Sequence, residues 1–91
     1  MFWVVCYDIA DDKRRHRVMK IMEGFGRRVQ YSVFECELKA EQLKKLEAAL
    51  AKVIASDEDS LRLYPLAQSE LERVRLMGNA QLERLKESYI I

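Results

Sequence analysis

Cysteine, proline, glycine and histidine are all scarce in this chain of 91 residues, which holds two Cys, one Pro, three Gly and one His. Cys6 and Cys36 form neither a metal-binding spacing nor a disulfide framework. Both lie in apolar, strand-like runs, where a free thiol behaves as a small hydrophobe. Three glycines make no Gly-rich phosphate loop, and no polar pocket motif accompanies them, so a small-molecule regulatory domain has no support. No apolar run approaches the roughly 20 residues that span a bilayer. The N-terminus starts directly into a strand-like run, without a basic region or cleavage site, so the expectation is a cytoplasmic protein with no membrane role. The single histidine, His16, is a lone residue within a run of cations and a poor candidate for a general base. There is no internal repeat and no low-complexity segment.

An excess of one charge is also missing: the formal net charge is +1. Its distribution tells more than its sum. Residues 1–34 carry seven Lys or Arg against four Asp or Glu, a surplus of +3, whereas residues 35–60 carry four against seven, or −3. A basic region on a near-neutral protein points to local phosphate contact, not to general polyanion binding. What the chain does have is apolar content, 49% of residues, which is high for one small domain. Part of that surface is expected to be buried in a partner, and a second copy of the chain is the simplest one.

Residues 2–7, Phe-Trp-Val-Val-Cys-Tyr, read as a central strand buried on both faces. Asp8 closes that run where the strand surfaces. Asp11 or Asp12 can cap the following helix, in which Val18, Ile21, Met22 and Phe25 recur at helical spacing. Gly24 or Gly26 is expected to end it in a left-handed cap. Residues 27–38 read as two strands joined by a tight turn near Gln30-Tyr31-Ser32. Residues 40–55 form a helix with a stripe of Leu43, Leu46, Leu50, Val53 and Ile54. Residues 56–60 read as a solvated polar loop. Leu61-Arg62-Leu63-Tyr64 alternates as a strand that Pro65 pushes towards a sheet edge. Residues 72–77, with Val74 and Leu76 in alternation, predict a further short strand ending at Gly78, and the tail closes on Tyr89-Ile90-Ile91.

The order β-α-β-β-α-β defines an α+β chain: a ferredoxin-like antiparallel sheet with two helices on one face, an extra C-terminal strand and a tail. Residues 1–78 form the domain, and residues 79–91 form a tail that engages a dimer mate or a partner protein. The second sheet face is left uncovered, and two copies packed face to face would bury it.

The chemistry-bearing groups gather near the first strand. Asp8 is one carboxylate beside a run of cations, and one carboxylate alone is too little for a metal site. Arg14, Arg15, Arg17, Arg27 and Arg28 are the phosphate-contact candidates, because a guanidinium forks onto phosphate oxygens. Arg27 and Arg28 point to opposite strand faces. Tyr7 and Phe34 read as core or interface residues supporting the site, and Ser32 is better placed to bond backbone at the turn than to attack phosphate.

The ordered set Tyr7-Asp8-Ile9, the basic helix start, Arg27-Arg28-Val29-Gln30-Tyr31-Ser32-Val33-Phe34-Glu35-Cys36, Asp59-Ser60-Leu61-Arg62-Leu63-Tyr64 and Val74-Arg75-Leu76-Met77-Gly78 resembles the Cas2 family of CRISPR-associated endonucleases, the smaller core protein of the spacer-acquisition machinery. The resemblance runs from Trp3 through Gly78. It implies a ferredoxin-like homodimer in which two copies of Asp8 face each other and bind Mg²⁺ or Mn²⁺. It implies phosphodiester cleavage of single-stranded RNA or duplex DNA with Asp8 as the catalytic metal ligand. It also implies a C-terminal segment that joins the partner's sheet or a larger CRISPR integrase. Two other functions fit the same residues: a non-catalytic dimeric adaptor that bridges integrase subunits and grips DNA, and a toxin-like messenger-RNA interferase on the same fold.

Overall fold

The computed structural model describes residues 1–82. The element order is β1 (Phe2–Asp8), α1 (Asp12–Glu23), β2 (Arg27–Gln30), β3 (Val33–Glu37), α2 (Ala40–Ala51), β4 (Ser60–Leu66) and α3 (Gln68–Leu71). One four-stranded sheet has the order β2-β3-β1-β4, with β1 antiparallel to both β3 and β4. This is the ferredoxin-like arrangement expected from the sequence, and Pro65 does lie in an edge strand.

Alternation along β1 sorts its side chains onto two faces. Trp3, Val5 and Tyr7 point to the helices and pack with Phe34 and Cys36 of β3, Val18 and Met22 of α1, and Leu46 and Leu50 of α2. Each such fully buried aliphatic or aromatic side chain contributes about 1.5–3 kcal/mol. Phe2, Val4, Cys6 and Asp8 point the other way. Asp11 caps α1, its carboxylate accepting from Arg14 N at 2.9 Å. Lys39 gives α2 no side-chain cap; instead Gln42 Oε1 accepts from Lys39 N at 2.8 Å.

The hairpin between β2 and β3 turns on Tyr31-Ser32, with Gln30 opposite Val33. Two-residue hairpin turns normally need φ > 0, yet among the described residues only Gly78 has it. A register shift between Arg28 and Gln30 accompanies this turn, so a bulge supplies the bend that turn chemistry does not.

Several expectations are corrected. α1 ends at Gly24 with φ −78°, a right-handed cap. Gly26 is required for space instead, because a Cβ there would lie 2.3 Å from Cys36 Sγ and 2.6 Å from the Glu35 carbonyl oxygen. α2 stops at Ala51, four residues short of the expected end, and Val53 and Ile54 reach the core from the following loop. No extra strand forms among residues 72–82. α3 turns the chain across the sheet after β4, and Leu71, Val74 and Leu82 pack on Phe2, Val4 and Leu66. Covering that apolar surface outweighs pairing with an edge, and a two-residue alternation is too short to resist it. Among the described residues, the second sheet face is therefore covered at its Phe2 end and open at its Asp8 end. Residues 83–91, including Tyr89-Ile90-Ile91, lie outside the described residues.

Candidate metal and nucleic-acid site

Asp8 stands at the end of β1, exposed, on the open half of the sheet face. Its register partner on β4 is Ser60; Cys6 pairs with Arg62 and Val4 with Tyr64. Alternation places Ser60, Arg62 and Tyr64 on the same face as Asp8, and together with Cys6 they line an open depression of about 310 Å³. Arg62 Nη1 donates to Tyr64 Oη at 3.1 Å, which holds the cation in the depression. No hydrogen bond or ion pair to another described residue engages the Asp8 carboxylate. A free carboxylate, a hydroxyl and a guanidinium thus share one surface.

Among the described residues no cluster of three or more His, Cys, Asp or Glu could hold a metal ion. One protomer offers Asp8 and the Ser60 hydroxyl, both hard oxygen donors. That set suits Mg²⁺, which keeps several waters and is held by one or two carboxylates plus substrate phosphate.

The five arginines do not form one patch. Arg14 is committed inside the fold: its Nε donates to Asp59 Oδ2 at 2.9 Å and its Nη2 to Glu58 Oε2 at 2.8 Å, and its side chain is 24% exposed. Arg15 donates to the Ile9 carbonyl at 2.9 Å and pairs with Asp12. Arg17 is exposed on α1 beside Lys13 and His16. Arg27 lies across from Glu35 on the face away from the helices, beside Leu76 and Asn79, and its positive charge opposes the burial that pushes the Glu35 carboxyl up. Arg28 points to the helix side, as expected from alternation, and both its Nε and Nη2 donate to the Tyr31 carbonyl, at 3.0 and 2.7 Å. Tyr7 and Phe34 are buried and stacked, with centroids 6.3 Å apart. The Ser32 carbonyl accepts from Tyr7 N at 3.1 Å, a backbone–backbone bond that ties the hairpin turn to β1. Burial pushes the Tyr7 phenol up and the Cys36 thiol up to about 11, which leaves both protonated at neutral pH.

Sequence reasoning passed over Asp59, which it placed in a solvated loop. Its side chain has 0% exposure. Besides Arg14, it accepts from Ala55 N at 2.8 Å and from the Ala10 N–H. The bonds from Arg14 above all, then Ala55, hold its carboxyl below the ordinary 3.8. Asp59 immediately precedes Ser60 and grips the segment immediately after Asp8, so the clamp fixes the end of β1 against the start of β4. A carboxylate with a depressed value stabilises the fold fully above the unfolded value and loses that contribution as pH falls through the folded one. Stability of the wild type is therefore expected to drop below about pH 4 more steeply than that of Asp59→Ala, which starts from a lower Tm. Thermal unfolding across acid pH reads this, and parallel acid profiles would contradict it.

A ferredoxin-like sheet with a lone carboxylate at the open end of its first strand, beside a cation, defines a candidate phosphate-handling domain. The family model described as CRISPR associated protein Cas2 matches residues 1–74, and the chain belongs to the Cas2 family. It is 44% identical over 89 residues to a protein of Synechocystis sp. named CRISPR-associated endoribonuclease Cas2 3, covering 98% of this chain and 97% of the relative. The fold is similar to the crystal structure of Streptococcus pyogenes Cas2, with TM-score 0.75 and 32% identity over 86% of this chain and all of that one. It is equally similar, at TM-score 0.75 and 28% identity, to a chain of a structure described as a partial Cas6-RT-Cas1–Cas2 complex, covering 89% of this chain and 92% of that one.

Proposed function

We propose that this protein is a metal-dependent endonuclease of the CRISPR spacer-acquisition machinery, acting as a homodimer on phosphodiester bonds with Asp8 as metal ligand. The observation that carries the reading is the exposed Asp8 carboxylate on the uncovered half of the sheet face, with Ser60 and Arg62 beside it. A two-fold copy packed on that face would bring a second Asp8 to the first. Two carboxylates so placed repel each other, and a divalent cation between them removes that penalty. When bound, Mg²⁺ or Mn²⁺ activates water and neutralises phosphate oxygens. Asp8 holds the ion, and Arg62, in the same depression, is the cation positioned to meet phosphate. Among the described residues no dedicated base stands near Asp8, so turnover is expected to be slow.

The name of the Synechocystis relative, an endoribonuclease, supports the nuclease reading. The Cas2 family match over residues 1–74 speaks for a CRISPR role against the toxin-like one. A second reading, the adaptor that joins an integrase, is favoured by similarity to a chain from a Cas1–Cas2 complex and by Leu76 and Met77, exposed at 44% and 87% beyond α3. Among the described residues no helix is long and apolar enough to cross a membrane.

Labelled single-stranded RNA and duplex DNA, incubated with pure protein in Mg²⁺, Mn²⁺ or EDTA, test the proposal. Cutting that requires metal and is absent with Asp8→Asn is expected. Equal cutting by both proteins, or none, would leave the adaptor as the function.

A further inference from the structure

We propose that the cavity between α1 and the β2–β3 turn is a subsite for one unpaired nucleobase, stacked on Tyr31 with its phosphate held by Arg15 and Arg28. The cavity measures about 200 Å³ and lies on the helix side of the sheet, whereas Asp8 lies on the other face. The inference rests on the nucleic-acid reading above and names the form of substrate that the domain grips.

Tyr31 is the starting point. It occupies a two-residue hairpin turn, where Gly, Asn or Asp is the ordinary choice and where a Tyr side chain serves neither turn nor core. The residue is 71% exposed. Yet it is fixed in place. The Arg28 guanidinium, held by two bonds to the Tyr31 carbonyl, lies 5.1 Å from the ring centroid. Arg15, which donates to the Ile9 carbonyl, lines the same cavity from α1. An exposed aromatic plate set against a guanidinium that is itself fixed is pre-organised for stacking, and Arg over an aromatic ring adds a favourable cation–π contact.

The rest of the lining suits a nucleotide. Arg15, Arg28 and His16 supply positive or hydrogen-bonding groups, and Met19 supplies an apolar wall. Tyr7 also lines the space with a phenol that burial keeps protonated, hence a donor. Only Asp12 is acidic there, and it is paired with Arg15. A free volume of this size takes one base and not a base pair. A duplex keeps its bases stacked and cannot enter without unpairing, so the subsite selects single strands. Stacking on one aromatic side chain strengthens single-strand binding by about 5- to 150-fold.

The test is fluorescence anisotropy in EDTA, so that nothing is cut. The probes are a short labelled single-stranded RNA, the same strand without bases, and a blunt duplex, each with wild type, Tyr31→Ala and Tyr31→Phe. Wild type is expected to bind the normal strand about 5- to 150-fold more tightly than the abasic one. Tyr31→Ala should erase that gap and Tyr31→Phe should keep most of it. Asp8→Asn should leave it unchanged. Salt-sensitive binding without any base dependence, or a gap that survives Tyr31→Ala, would overturn the subsite and leave the phosphate reading standing. Failure of wild type to bind any strand would overturn both.

Discussion

Gly26→Ala is expected to destabilise the domain by about 1–3 kcal/mol, a fall in Tm of roughly 4–24 °C for a chain of this size. The added Cβ would meet Cys36 Sγ at 2.3 Å and the Glu35 carbonyl oxygen at 2.6 Å. Neither atom can move cheaply. Cys36 is almost fully buried in the main core, and the Glu35 carbonyl belongs to β3, in the middle of the sheet. The strain falls where α1 hands over to β2, so it would also disturb Arg27 and Arg28. Gly24→Ala, two residues earlier, is the control. Gly24 already has a right-handed backbone, and its nearest obstacle is the Ile21 carbonyl oxygen at 3.3 Å. Its effect should stay within about 1 kcal/mol, because the reduced freedom of the unfolded chain offsets a small contact. Chemical denaturation of both variants reads the difference, and similar midpoints would contradict the account.

Asp8→Asn is expected to lower metal-dependent cleavage by roughly 10²–10³-fold, the loss that follows when the ion supplying charge neutralisation is no longer held. The fold should persist, because Asp8 is exposed and caps no helix; that task belongs to Asp11. In metal-free buffer the variant of the proposed dimer should be at least as stable as wild type, since the two carboxylates that the proposal sets face to face would be replaced by neutral amides. Adding Mn²⁺ should raise the Tm of wild type only, because a ligand stabilises the state that binds it. Equal Mn²⁺ shifts in both proteins would place the ion elsewhere.

Much of this was legible in the sequence. The continuous apolar run ending at Asp8, the two helical stripes and the alternation of residues 33–38 were enough for the ferredoxin-like order. The position of Asp8 at a strand end followed from the same run. Other features were hidden for physical reasons. Asp59 reads as solvated because four polar neighbours surround it in sequence; only the fold brings Arg14 to it across 45 positions. Arg14, in turn, looks like one of a basic cluster until its partners are seen. Ser60 and Arg62 could have been found by extending the alternation of Leu61 and Leu63 one residue each way and pairing β4 antiparallel to β1. The expected strand at residues 72–77 rested on Val74 and Leu76 alone, and burial of Phe2 and Val4 decided where that segment went.

Mn²⁺ titration of the purified protein, followed by calorimetry with its association state fixed by sedimentation, tests the central claim most directly. The account predicts a homodimer that binds one ion per two chains, and no binding at that site in Asp8→Asn. A monomer, or binding of one ion per chain that Asp8→Asn leaves intact, would contradict it.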